Sequence, residues 1–323
     1  MHIPDAVLSA PVAVGCGAIA VVAMGLGMRR LERSLRDRTA VLMGTMSAFV
    51  FAAQMVNFPL GPLPISGHLL GGVLSAVLLG PWAGAGVIGA VLLVQCLLFG
   101  DGGLTALGAN FINMGLIGSV VGYAIYAPIR RLVGGRAGVL LASMFAAWFS
   151  VILASGAFAL ELTASGWREN FFTILGWMTL VHAAIGLGEA AITGLVLRFL
   201  LLARPDLVYE PDPDALSTGK RAGQVAIAGL AVALAVAVFL APFASDHPDG
   251  LEWVGARIGF LRNGAPLLPA PLADYQVPAL AGHVRAATAV AGLAGTLIVF
   301  VMGLCLARIF SRPLPEGMAR DAA

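Results

Sequence analysis

Charge is scarce in this chain. Only 11% of its 323 residues are Asp, Glu, Lys or Arg, against roughly 25% in a soluble domain, which excludes an ordinary water-soluble fold. Cysteine is nearly missing. The three thiols, Cys16, Cys96 and Cys305, all lie inside apolar runs, so neither a disulfide framework nor a cysteine metal site is expected. Strict apolar/polar alternation is absent, which removes a transmembrane β-barrel. No GxxxxGK[ST] and no HExxH occurs, so the chain encodes neither a P-loop ATPase nor a zinc-protease helix.

What is abundant is apolar. Hydrophobic residues make up 59% of the sequence, in runs that approach the roughly 20 residues needed to cross a bilayer as helix. The 41 glycines suit close helix–helix contact in lipid; Gly84, Gly86 and Gly89 read as such a packing surface. Apolar runs between charges and Pro/Gly breaks predict nine spans, over about 9–28, 40–57, 68–79, 82–99, 104–127, 135–160, 171–202, 222–242 and 284–309. Residues 203–221 are polar, Pro-rich and acidic, and read as a linker.

The positive residues orient these spans. With the N-terminus outside, Arg29, Arg30, Arg33, Arg36, Arg38, Arg130, Arg131, Arg136, Arg198, Arg204, Lys220, Arg221, Arg308, Arg312 and Arg320 are cytoplasmic. That is fifteen of the nineteen, as the positive-inside rule requires. The expected location is therefore the inner (plasma) membrane, multi-pass, with a cytoplasmic C-terminus. The opening MHIPDAVLSAP carries no Lys or Arg, unlike a cleaved signal peptide, so Met1 is expected to remain the mature terminus.

Topology sorts the five histidines. His2 and His68 fall at the outer face, His182 near the midplane of the seventh span, and His247 and His283 on a long outer loop that reads as solvated. The α-amine of Met1, the amide of His2 and the His2 imidazole form a three-nitrogen chelate of one five-membered and one six-membered ring. Ni²⁺ and Cu²⁺ favour tetragonal nitrogen sites, and His68 could supply a fourth nitrogen. A histidine at position 2 can equally be a chance surface residue. His182 and Glu189 are seven apart, hence on one helix face, and an internal pairing is the expected reading. Gln54, Asn57, Asn110 and Asn113 cluster near outer span ends, where they would line a pocket or hydrogen-bond the loop that closes it.

MHIPD at the terminus, SGHLLGG followed by LLGPW, FGDGGLTALGANFINMG and HAAIGLGEAAITG together resemble the CbiM/NikM family, the substrate-capture component of nickel/cobalt energy-coupling-factor transporters. The resemblance covers about residues 1–202. It implies that Met1, His2 and His68 hold the ion in near-square-planar geometry. Ala6 departs from the glycine that many relatives carry there. ASDHPDGLEWVG, between two apolar spans, resembles the two-span CbiN/NikN auxiliary component with its PDGLE motif. Asp249 and Glu252 in that motif could ligate a metal, but a Pro-Asp-Gly turn with a following carboxylate is equally a loop-folding device.

The expectation is thus an all-α polytopic membrane protein, a bundle of about seven helices plus two C-terminal transmembrane helices. Its parts would be a metal-capture domain over 1–202, a cytoplasmic linker over 203–221, a PDGLE domain over 222–310 and a tail over 311–323. Ni²⁺ or Co²⁺ would be bound as transported substrate, with no cofactor and no catalysis. Expected partners are a coupling membrane subunit, separate ATPase subunits and the lipid bilayer, but no nucleic acid. An unrelated secondary carrier or channel is the main alternative; an intramembrane hydrolase using Ser155 and His182 lacks a recognisable oxyanion hole. Nickel and cobalt are not separated by these residues.

Overall fold

A computed structural model describes residues 1–32, 37–209, 222–261, 266–280 and 282–310. It is helical almost throughout, as lipid demands of a chain whose backbone must satisfy itself. The helices are α1 (Ala10–Glu32), α2 (Asp37–Gln54), α3 (Gly72–Leu79), α4 (Pro81–Val94), α5 (Leu107–Asn110), α6 (Gly122–Val133), α7 (Gly135–Ala164), α8 (Phe171–Ala203), α9 (Ala222–Ala235), α10 (Gly250–Ile258) and α11 (Val284–Phe310). π-helical turns extend α4 through Phe99, join α5 to α6 through Phe111–Val121, and extend α9 through Leu240. Among the described residues the one sheet is an antiparallel pair of two-residue strands, β1 (Phe58–Pro59) with β2 (Ser66–Gly67).

Seven helical segments among the described residues are long and apolar enough to cross a membrane, and α2 supplies a shorter apolar one over Thr39–Gln54. The predicted third span differs most. Only Gly72–Leu79 of 68–79 is helical, a rod of roughly 12 Å at 1.5 Å per residue. Residues 58–71 instead form a re-entrant stretch that is exposed at 61–64 and buried in protein over 65–71, where irregular backbone is tolerated. Gly80, at φ 91, and Pro81 at the first helical position then start α4 sharply.

The segments assigned to the cytoplasm gather at one end of the bundle. Arg30 lies over the Trp82 ring, Tyr209 donates its backbone N–H to Val77 at 2.9 Å, and Arg130, Arg131 and Arg136 share a cavity with Pro205 and Val208. The expected linker and tail fall mostly outside the described residues.

α7 packs along α8, while α9 and α11 both pack on α2. A side chain at Gly303 would meet the Ser47 hydroxyl at 2.4 Å, and one at Gly44 the Phe300 carbonyl oxygen at 2.8 Å. Glycine at these two positions lets α11 lie directly against α2. The C-terminal helices are therefore packed onto the bundle, and the loop between them reaches its opposite end.

Candidate metal centre

Residues 1–9 make no helix, and the first three are buried at that end: Met1 is 3%, His2 8% and Ile3 0% exposed. Polar residues lash the segment down. Asn110 accepts from Ile3 N–H at 2.8 Å and donates to its carbonyl at 3.0 Å. Gly103 donates to the same carbonyl at 2.8 Å. A side chain at Gly103 would meet Asp5 N at 2.2 Å. The Asp5 carboxylate accepts from Thr105 N–H, the Thr105 hydroxyl and Leu267 N–H at 2.7–2.9 Å. Burial pushes the Asp5 carboxyl up, but these hydrogen bonds outweigh it and hold the group below its ordinary value. Ala6 adopts φ 62, a left-handed conformation that glycine reaches without a Cβ clash.

The re-entrant stretch brings His68 to this terminus. Its Nδ1 donates to the Leu69 carbonyl oxygen at 3.0 Å, leaving Nε2 as the lone-pair nitrogen. Nε2 points at the Met1 amine, in direct contact. Burial first, then the positive amine, lower the His68 pKa and favour the neutral imidazole, the form that ligates metal. The His2 ring stacks on His68, with centroids 5.1 Å apart and planes at 18°. His2 Nδ1 lies 3.0 Å from Asp101 Oδ1 and Nε2 lies 3.1 Å from Gln95 Oε1.

Asp249 comes from the C-terminal loop. Its Oδ2 accepts from the Met1 amine at 2.7 Å and sits 3.8 Å from His68 Nε2. Its Oδ1 accepts from Glu252 N–H at 2.8 Å, and the Glu252 carboxylate accepts from Asp249 N–H at 2.9 Å. This reciprocal pair caps α10. Burial raises the Asp249 carboxyl, yet the adjacent amine and His68 hold it well below the usual range. β2 anchors the loop, Ser66 N–H donating to the Pro248 carbonyl at 2.8 Å.

Met1, His2 and His68 are thus brought together. Among the described residues no group of three His, Cys, Asp or Glu side chains is placed to hold a metal ion. The two loop histidines stay apart, both exposed. His182 and Glu189 do not pair as expected. His182 Nδ1 donates to the Met178 carbonyl at 2.9 Å, while Glu189 accepts from the backbone N–H groups of Leu70 and of Gly71, the latter at 2.9 Å. Gln54 donates to the Leu70 carbonyl at 2.9 Å, so with Asn110 it holds loops. Asn113 turns to Glu161 at 2.9 Å.

Residues 2–207 match the family CbiM, cobalt uptake substrate-specific transmembrane region. The chain belongs to the CbiM family. Residues 223–312 of this CbiM-family chain match the PDGLE domain, and the motif itself is Pro248–Glu252 in the loop that touches Met1. A putative fused nickel transport protein NikMN from Archaeoglobus fulgidus is 35% identical over 95% of this chain and 98% of its own. A cobalt transport protein CbiM from Geobacter sulfurreducens is 29% identical over 78% of this chain and 75% of its own. The crystal structure of a truncated transition metal transporter superposes with a TM-score of 0.56 and 32% identity, covering 63% of this chain and 99% of that one.

Sequence reading missed Asp101, Gln95 and Tyr275. Asp101 was findable as a lone acid between two apolar runs. Gln95 and Tyr275 carry no local signal.

Proposed function

We propose that this CbiM-family protein captures Ni²⁺ or Co²⁺ at its outer face for uptake, as the substrate-specific component of an energy-coupling-factor transporter. The observation that supports this reading is the buried contact between the Met1 amine and His68 Nε2, with the His2 ring stacked alongside. The ion is cargo. The Met1 amine, the His2 amide and Nδ1, and His68 Nε2 would be its four nitrogen donors, and Nδ1 would have to leave Asp101 to bind. The transport names of the relatives favour the same reading and speak against catalysis.

In this reading residues 1–202 form the capture domain, 203–221 a cytoplasmic linker, 222–310 the PDGLE domain and 311–323 a cytoplasmic tail. The protein sits in the inner membrane, N-terminus outside. Energy comes from separate ATPase subunits through a coupling membrane subunit, since this sequence carries no P-loop. Metal analysis of the purified protein tests capture, with nickel or cobalt expected at one ion per chain. Uptake that persists in cells without any such ATPase would favour a secondary carrier instead.

A further inference from the structure

Three side chains close a ring of hydrogen bonds with His2. The Tyr275 hydroxyl donates to Asp101 Oδ2 at 2.6 Å. Asp101 Oδ1 faces His2 Nδ1 at 3.0 Å. His2 Nε2 faces Gln95 Oε1 at 3.1 Å, and Gln95 Nε2 returns to the Tyr275 oxygen at 3.1 Å. Both nitrogens of the imidazole are thereby fixed, and the only member from the C-terminal half is Tyr275.

Tyr275 is held there at a backbone cost. Asp274 and Tyr275 adopt φ 53 and φ 56, two successive non-glycine residues in the left-handed region, a conformation that persists only where the surroundings over-determine it. The surroundings are specific. The Tyr275 ring stacks on Phe99 at 4.7 Å and 20°, Phe51 flanks it at 6.1 Å, and Leu272 N–H donates to the Leu98 carbonyl at 2.9 Å. Phe99 closes the π-helical turn that Gln95 opens, so the same turn supplies the stacking face and the amide.

We infer that Tyr275 is a positioning residue for His2, acting through Asp101 and Gln95, and that the C-terminal half by this route sets the orientation of the imidazole. The inference rests on the capture reading for its effect on metal; the positioning itself belongs to the metal-free chain. When an ion takes His2 Nδ1, Asp101 loses that partner. The Tyr275 hydroxyl remains to satisfy the abandoned carboxylate, and charge-assisted hydrogen bonds of this kind are the strong ones. The hydroxyl therefore favours the loaded state over one in which Asp101 is left bare.

The test is Tyr275→Phe in the full chain, which keeps the ring on Phe99 and removes only the hydroxyl. In metal-free protein labelled with ¹⁵N in its histidine rings, the His2 resonances should move, and the melting temperature should stay close to that of the parent. Titration with Ni²⁺ should show affinity lowered by about tenfold. Unmoved His2 resonances overturn the inference whatever the affinity. If the parent protein binds neither Ni²⁺ nor Co²⁺, the capture reading fails, and the ¹⁵N resonances alone decide: movement supports positioning by Tyr275, and its absence overturns it.

Discussion

Asp249 Oδ2 and the Met1 amine lie 2.7 Å apart across 248 positions of sequence. The contact ties the PDGLE turn to the first residue of the chain. Without metal the charged amine is satisfied by this carboxylate; an amine that ligates through its lone pair gives up that charge but keeps two N–H bonds to donate.

Asp249→Asn should therefore tighten equilibrium binding of Ni²⁺, by roughly threefold to tenfold, because the ion pair with the charged amine, which ligation replaces by a hydrogen bond from a neutral one, is weakened. Isothermal titration of the two proteins side by side measures it. Weaker binding by the variant would mean that Asp249 acts as a ligand.

An added residue before Met1 converts the amine into an amide and should abolish high-affinity binding, while the same tag after Ala323 is harmless. His2→Ala and His68→Ala should each lower affinity by more than a hundredfold, His2 the more severely, since one change removes an imidazole and a chelate ring. Tight nickel or cobalt binding by a protein with a verified, uncleaved N-terminal tag would sink the chelate model.

Acid should act on His68 in a definite direction. Its ordinary value is 6.5 and the folded value is lower, through burial and then the Met1 amine. The unfolded ring takes a proton near 6.5 that the folded ring refuses, so this group costs stability as pH falls through 6.5 and nothing well above it. Melting curves at about pH 7.5 and about pH 5.5 should show a larger acid-induced drop for the parent than for His68→Gln. Equal drops would remove His68 as the cause.

Ala6 sits at φ 62 and is exposed. Ala6→Gly should raise stability by about 1 kcal/mol by relieving the left-handed strain, read as a higher melting temperature in detergent with nickel affinity unchanged. A lower melting temperature would show that the glycine's added chain entropy outweighs the relief.

Much of this was legible in the sequence, for reasons that differ by residue. Hydropathy marked the long helices because lipid imposes a length on them. His2 and His68 were legible because chelation by a terminal amine is local chemistry. Asp249 and Glu252 were open to two readings, and the geometry shows the capping box directly. The third span was misjudged because HLLGG is as apolar as a helix; what prevents a helix there is a left-handed Gly71, at φ 77, and a carboxylate more than a hundred residues away. Gln95 and Tyr275 were invisible for the same cause, since their partners are distant in the chain.

That carboxylate gives the last prediction. Glu189→Ala would leave two buried N–H groups without an acceptor, at a cost of about 3 kcal/mol or more, and His68 should lose its place with them. Hydrogen exchange at Leu70 and Gly71 reads the first effect and nickel titration the second. Parent-like exchange at both amides would show that another acceptor takes over.

The same two bonds decide what His68 moves with. Glu189 lies near the middle of α8, so the stretch carrying His68 hangs from the interior of the bundle and not from its rim. A tilt of α8 would carry the histidine along, and the PDGLE turn with it, since Gly250 packs against Val181 and Ile185 of α8 and Ser66 of the His68 stretch holds the turn. Histidine and turn thus share one mounting, while the terminal amine that meets both is held from Asn110 and Gly103 through Ile3.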